Sequence, residues 1–214
     1  MAADTSAEIA PEQPQIYLIT PPEFELSSFP DLLGRVLDAH EIGCVRMAMS
    51  TQDESTLSRA GDLLRETCHA RDVAIVMDSH VLLAEKLGFD GVHLTDNNKG
   101  LRKLRETYGP DFILGAHCGT SRHDGLNAGE AGADYISFGP VGETLIGDGS
   151  RAEADLFKWW SEVVEVPVVA EGVLDEDLIR SLSPVTDFFG IGDEIWRQED
   201  ASGALGALIK AMQV

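Results

Sequence analysis

Seven titratable side chains, Asp78, His80, His93, Asp96, His117, Glu171 and Asp193, fall where short apolar runs give way to polar or glycine-rich sequence. Their types suggest metal or acid–base chemistry. Asp78 with Asp96 suits Mg2+, a hard cation that keeps waters and needs only one or two carboxylates. His117 is suited to moving a proton near neutral pH. Arg46 is the one candidate cation expected to point inward. Two glycine-bearing stretches, Glu171-Gly172-Val173 and Gly190-Ile191-Gly192 before Asp193, look like anion sites built from backbone N–H groups and a short helix start. The same glycines would also serve tight strand-to-helix turns, and Glu171 and Asp193 would oppose an anion at short range. His93 reads more simply as a structural hydrogen-bonding group. His40 and His69, at helix ends, and Trp159, Trp160 and Trp196 read as helix-end and packing residues.

Such side chains need a scaffold that brings them to one place. GFDGVHL (88–94), FILGAHCGT (112–120) and GADYISFGPVG (132–142) are apolar runs of the kind buried on both faces in parallel sheets. In a (β/α)8 barrel the residues just past such strands form the active site, which is where His93, Asp96, His117 and Gly139 stand. Strands are expected at 16–20, 43–49, 73–78, 91–94, 112–117, 135–139, 166–171 and 187–191. Helices fill the gaps at 29–40, 54–70, 80–87, 99–107, 123–131, 152–163, 175–182 and about 201–212. The helix from Glu54 carries Leu57, Ala60, Leu63, Leu64 and Cys68 on one face. Strict alternation with short connections implies parallel strands and right-handed crossovers. A single TIM barrel is favoured over an open doubly wound sheet, because eight units recur and LITPPEF after the first strand lacks a nucleotide-type glycine fingerprint.

Composition narrows the class further. A length of 214 residues with 43% apolar content suffices for one barrel domain from residue 16 to 214. Residues 1–15 read as a flexible tail without the features of a signal peptide. No apolar run is long enough for a membrane span, and three widely spaced cysteines suggest neither a disulfide framework nor a metal site, so the cytoplasm is the expected compartment. A formal net charge of -21 argues against nucleic acid or anionic lipid as partners. A small-molecule ligand is expected, and assembly into a homo-oligomer stays open.

DGVHL, ILGAHCGT, AGADYISFGPVGET and PVVAEGV, in this order, resemble the thiamine phosphate synthase and TenI family from about Ile16 to the end of the chain. The resemblance implies a (β/α)8 barrel that binds a phosphorylated thiazole and, in the synthase, joins it to a pyrimidine pyrophosphate with magnesium. It also implies roles: Arg46, Gly139, Thr144, Glu171, Gly172, Gly190 and Gly192 near substrate phosphate, Asp78 and Asp96 on the metal, and His117 near the catalytic histidine of TenI-type tautomerases. The chain departs from the family pattern in its cations. Arg46 stands at the usual Gln of the second strand, with Ala48 and Ser50 at the usual Arg and Lys. Met77-Asp78 keeps only the carboxylate of Asn-Asp, and Asn98 takes the place of a second metal Asp. Thr144 is followed by Ile146 and Gly147 where Thr and Lys are usual, and Gly172-Val173 replaces Gly-Gly. Each missing charge-assisted contact is worth about 1.5–3 kcal/mol, so pyrophosphate handling should be weakened. A thiazole tautomerase using His117 and a non-catalytic ligand-binding or regulatory barrel are the alternatives.

Overall fold

The computed structural model describes residues 13–96, 100–143 and 149–213. Eight parallel strands close into one barrel in chain order, β1 (Gln15–Ile19), β2 (Cys44–Met47), β3 (Ala74–Asp78), β4 (Gly91–Leu94), β5 (Ile113–His117), β6 (Tyr135–Phe138), β7 (Val168–Glu171) and β8 (Phe188–Ile191), and β8 pairs back onto β1. Helices α1 (Phe29–Ala39), α2 (Glu54–His69), α3 (Val81–Leu87), α4 (Leu101–Tyr108), α5 (Arg122–Glu130), α6 (Ala154–Val163) and α7 (Glu176–Leu182) make the crossovers. A short helix α8 (Asp193–Trp196) precedes the closing helix α9 (Ala201–Met212). The expected TIM barrel is therefore present. Among the described residues no helix is long and apolar enough to cross a membrane.

The boundaries differ from expectation where a local bond intervenes. Strand β2 stops at Met47 because the next amide, Ala48 N–H, donates to the Thr20 hydroxyl at 3.0 Å. Helix α6 begins at Ala154 rather than Ala152, whose N–H is held by the Pro140 carbonyl. Ser121 and Asp175, one residue before α5 and α7, cap them by accepting from Asp124 and Leu178 amides. Strand β1 begins at Gln15, a residue assigned from sequence to the tail. Lys99, the expected start of α4, lies outside the described residues, as do Thr144 and residues 1–12.

The barrel wall separates two cores. Its outward-facing side chains, Leu18, Val45, Ile75, Val92, Leu114, Ile136, Val168 and Phe189 among them, pack against the helices. Inside, Tyr17, Cys44, Val76, Tyr135 and Val169 fill the lower barrel with Ile113 and Phe188. Gly115 is required there, since a Cβ on it would meet the Tyr135 ring at 2.1 Å. The lower rim is laced by carboxylates. Asp90, Asp134 and Asp187, each just before or at the start of an even-numbered strand, accept the N–H of Ile75, Leu114 and Val168 on the preceding odd-numbered strand, at 2.7, 2.7 and 2.8 Å.

Candidate active site

Strand alternation decides what faces the barrel mouth. Inward positions continue upward from the lower core to Arg46 on β2, Asp78 ending β3, His93 on β4, His117 ending β5, Ser137 on β6 and Glu171 ending β7. Charged side chains thus gather at the C-terminal rim.

Arg46 is the hub of this group. Its Nη1 donates to Glu171 Oε2 at 2.9 Å, its Nε lies 3.4 Å from Asp78 Oδ1, and the guanidinium sits 5.9 Å from the Tyr17 ring centre. It is therefore spoken for by two carboxylates, and the trio carries one net negative charge. Burial alone would disfavour its charge, but Glu171 and Asp78 outweigh that and hold it protonated. Burial pushes Glu171 up; Arg46 and the His117 hydrogen bond overcome it and hold this carboxyl well below the usual carboxylate range. Asp78 goes the other way. Its burial, only partly offset by Arg46 and reinforced by Glu171, pushes the carboxyl up to about 6, and its Oδ1 has no hydrogen bond.

His117 Nδ1 lies 2.9 Å from Glu171 Oε1 and 3.0 Å from the Ser137 hydroxyl. An ionised carboxylate only accepts, so it fixes the proton on Nδ1 and leaves Nε2 as the basic nitrogen. His93, fully buried, meets the Tyr135 hydroxyl through Nδ1 at 3.0 Å, and Tyr135 and Tyr17 share a hydroxyl–hydroxyl hydrogen bond of 2.6 Å. Burial, with Arg46 adding to it, holds His93 well below its ordinary value and hence neutral, and its Nε2 has no hydrogen bond. Sequence reasoning missed Tyr17, Tyr135 and Ser137. The alternation that sets Arg46 and His117 inward would have placed them.

The glycine-bearing corner has a different character. Gly139 must lack a side chain, because a Cβ would lie 2.4 Å from the Glu171 carbonyl. Gly190 faces inward and makes room for Glu171, whose Cβ would be 2.8 Å from a Cβ added there. Gly172 holds φ at 91° and Val173 at 56°, a conformation costly for a β-branched residue. Gly192 N–H donates to Glu194 Oε2 at 2.7 Å, and Leu174 N–H donates to Glu194 Oε1 at 3.1 Å. Glu194 went unnoticed in the sequence. Asp96 is exposed two residues beyond β4, and Asp193 on α8 pairs with Arg197. Among the described residues no group of three or more His, Cys, Asp or Glu is arranged to hold a metal. Trp160 is buried against Phe138, and Trp196 lies edge-on to Phe29, so both pack.

A closed (β/α)8 barrel whose polar, buried side chains open at the C-terminal rim has the architecture of a TIM-barrel enzyme. The chain belongs to the thiamine monophosphate synthase family, whose model matches residues 16–184. It is 35% identical over 184 residues to the thiamine-phosphate synthase of Rhodospirillum centenum, covering 85% of this chain and 89% of that one. It is 33% identical over 192 residues to the thiamine-phosphate synthase of Erythrobacter litoralis, with 87% and 90% coverage. Among solved structures, thiamine phosphate pyrophosphorylase from Pyrococcus furiosus superposes with a TM-score of 0.79 at 25% identity, covering 93% of this chain and 95% of that one. The family expected from the sequence is thus borne out, and these relatives favour the synthase over the tautomerase or non-catalytic alternatives.

Proposed function

We propose that this chain acts in thiamine biosynthesis, joining a phosphorylated thiazole to a pyrimidine pyrophosphate to give thiamine phosphate. The carrying observation is its similarity to thiamine-phosphate synthases over 85–87% of its length. In the coupling, the thiazole ring nitrogen attacks the pyrimidine methylene carbon while the C–O bond to pyrophosphate breaks. No proton is exchanged, so positioning and charge carry the catalysis.

The residues present fit magnesium at Asp78. Its buried carboxyl is only partly offset by Arg46, whose Nε lies 3.4 Å from Oδ1 without a hydrogen bond, and burial pushes it up to about 6. Asp96, on the next loop, is the second ligand in this reading, with water and substrate oxygens completing the shell. When bound, the ion supplies positive charge to the pyrophosphate. Arg46 holds Asp78 and Glu171 in place, and Gly139 and Gly172 let the segments after β6 and β7 pack closely at the mouth. Arg151, in the loop after β6, is held by exposed Glu143 at 3.6 Å and Glu153 at 3.5 Å, pairs weak enough to yield to a polyphosphate. Thr144 retains its expected phosphate role.

Incubating the purified protein with thiazole phosphate, pyrimidine pyrophosphate and Mg2+ should yield thiamine phosphate. The rate should lie about 10³-fold below that of relatives with the second-strand Arg and Lys, since two charge-assisted contacts are absent. Joint Ala48→Arg and Ser50→Lys replacement should raise it. Absence of product at saturating substrates and metal overturns the reading.

A further inference from the structure

The corner between the ends of β7 and β8 is where barrels commonly hold a phosphate on backbone N–H groups. In this chain an anion already lies there, and it belongs to the protein. The Glu194 carboxylate spans the corner, one oxygen on the Leu174 amide and the other on the Gly192 amide. Two amides of the facing loop are committed as well. Val141 N–H donates to the Glu171 and Gly172 carbonyls, and Gly142 N–H donates to the Gly172 carbonyl. Nearby cations are neutralised: Arg46 serves Glu171 and Asp78, and Arg197 serves Asp193. A phosphate ester arriving here would displace a carboxylate and face Glu171, Asp193 and Glu194. An uncharged hydroxyl would meet neither penalty.

We propose that Glu194 is a specificity-determining residue which, by occupying the β7–β8 corner, lets this chain couple the unphosphorylated thiazole alcohol about as readily as its phosphate ester. This rests on the synthase reading above. The bonds made and broken are the same: the ring nitrogen alkylates, the C–O bond breaks with its electron pair leaving on pyrophosphate, and the alcohol arm is untouched. The product is thiamine rather than its monophosphate. The Glu194 contact gives the ester little advantage, whereas a relative with free amides at this corner gains charge-assisted hydrogen bonds from it.

The test compares kcat/KM for hydroxyethylthiazole and its phosphate ester, each with pyrimidine pyrophosphate and Mg2+, in the unaltered protein, Glu194→Gln and Glu194→Ala. The unaltered protein should prefer either azole by no more than about threefold; Glu194→Ala, which frees both amides, should shift the ratio toward the ester by at least about tenfold, and Glu194→Gln, whose amide oxygen can still accept one N–H, should shift it the same way by less. Inorganic phosphate at about 20 mM should raise the melting temperature of the variants and not that of the unaltered protein, because only a state with free donors gains from binding. An ester preference above about a hundredfold in the unaltered protein, or a ratio that neither variant moves, overturns the proposal. So does an equal phosphate-induced shift in all three proteins. If Glu194→Ala fails to fold, Glu194→Gln, which keeps the side-chain volume, carries the comparison. Coupling of neither azole would sink the synthase reading alone, and the phosphate melting experiment would still decide the role of Glu194.

Discussion

The two rims of the barrel use carboxylates in opposite ways. At the lower rim, Asp90, Asp134 and Asp187 each accept one backbone N–H from the strand beside them, a local and repeated arrangement. At the upper rim, Asp78 and Glu171 depend on Arg46, which sits 32 residues from one and 125 from the other in sequence. Asp187 would work as any acceptor of the right shape, while Asp134 also meets Arg105 and Asp90 also meets His69. The upper set works only as a balance of charge, and two acids on one cation leave it a charge short.

The same chemical change, carboxylate to amide, separates the two regimes. The largest effect belongs to Glu171→Gln, which leaves buried Arg46 with Asp78 alone and should destabilise the fold by about 3 kcal/mol at pH 7 in denaturant titration. Because the native pKa of Glu171 is depressed, its contribution is present above the ordinary carboxylate range and fades as the pH falls below it. The loss on mutation should therefore shrink in acid. A pH-independent loss would place the effect in packing rather than charge.

Asp78→Asn should have the opposite sign. A native carboxyl at about 6 binds a proton more readily than the unfolded chain does, so stability falls as the pH rises between about 4 and 6, and the penalty is complete above that window. Removing the charge should stabilise the protein by on the order of 2 kcal/mol at pH 7 and by little at pH 4. Destabilisation at pH 7 would show that Arg46 compensates Asp78 more fully than the geometry indicates. The smallest change is expected from Asp187→Asn, below about 1 kcal/mol, because the amide oxygen still accepts the Val168 N–H. A loss as large as that of Glu171→Gln would abolish the distinction between the rims.

Nearly all of the fold was legible in the sequence. Strands buried on both faces announce themselves as apolar runs, and all eight appeared in the expected order. Helix α8 was not among the expected elements, being too short to show a period. The site was legible by residue type rather than by partner. Asp78, His117 and Glu171 were recognised as rim residues, but Glu171 was grouped with phosphate contacts, whereas its nearest partners are Arg46 and His117. Such pairing spans distant strands and leaves no local pattern. Glu194 escaped because one of its two amide partners, Leu174, lies on a different loop.

The lower-rim aspartates also divide the barrel into couplets. Each stitches an odd strand to the even strand after it: β3 to β4, β5 to β6 and β7 to β8. A chain tiled in this way has natural cutting points between tiles and reinforced joints within them. New termini opened at Gly109–Asp111, between β4 and β5, leave every stitch inside an unbroken segment, whereas a break within α3 would separate Asp90 from the strand it holds. The carboxylates at the floor of the barrel thus set the grain along which this protein can be rearranged without losing its mouth.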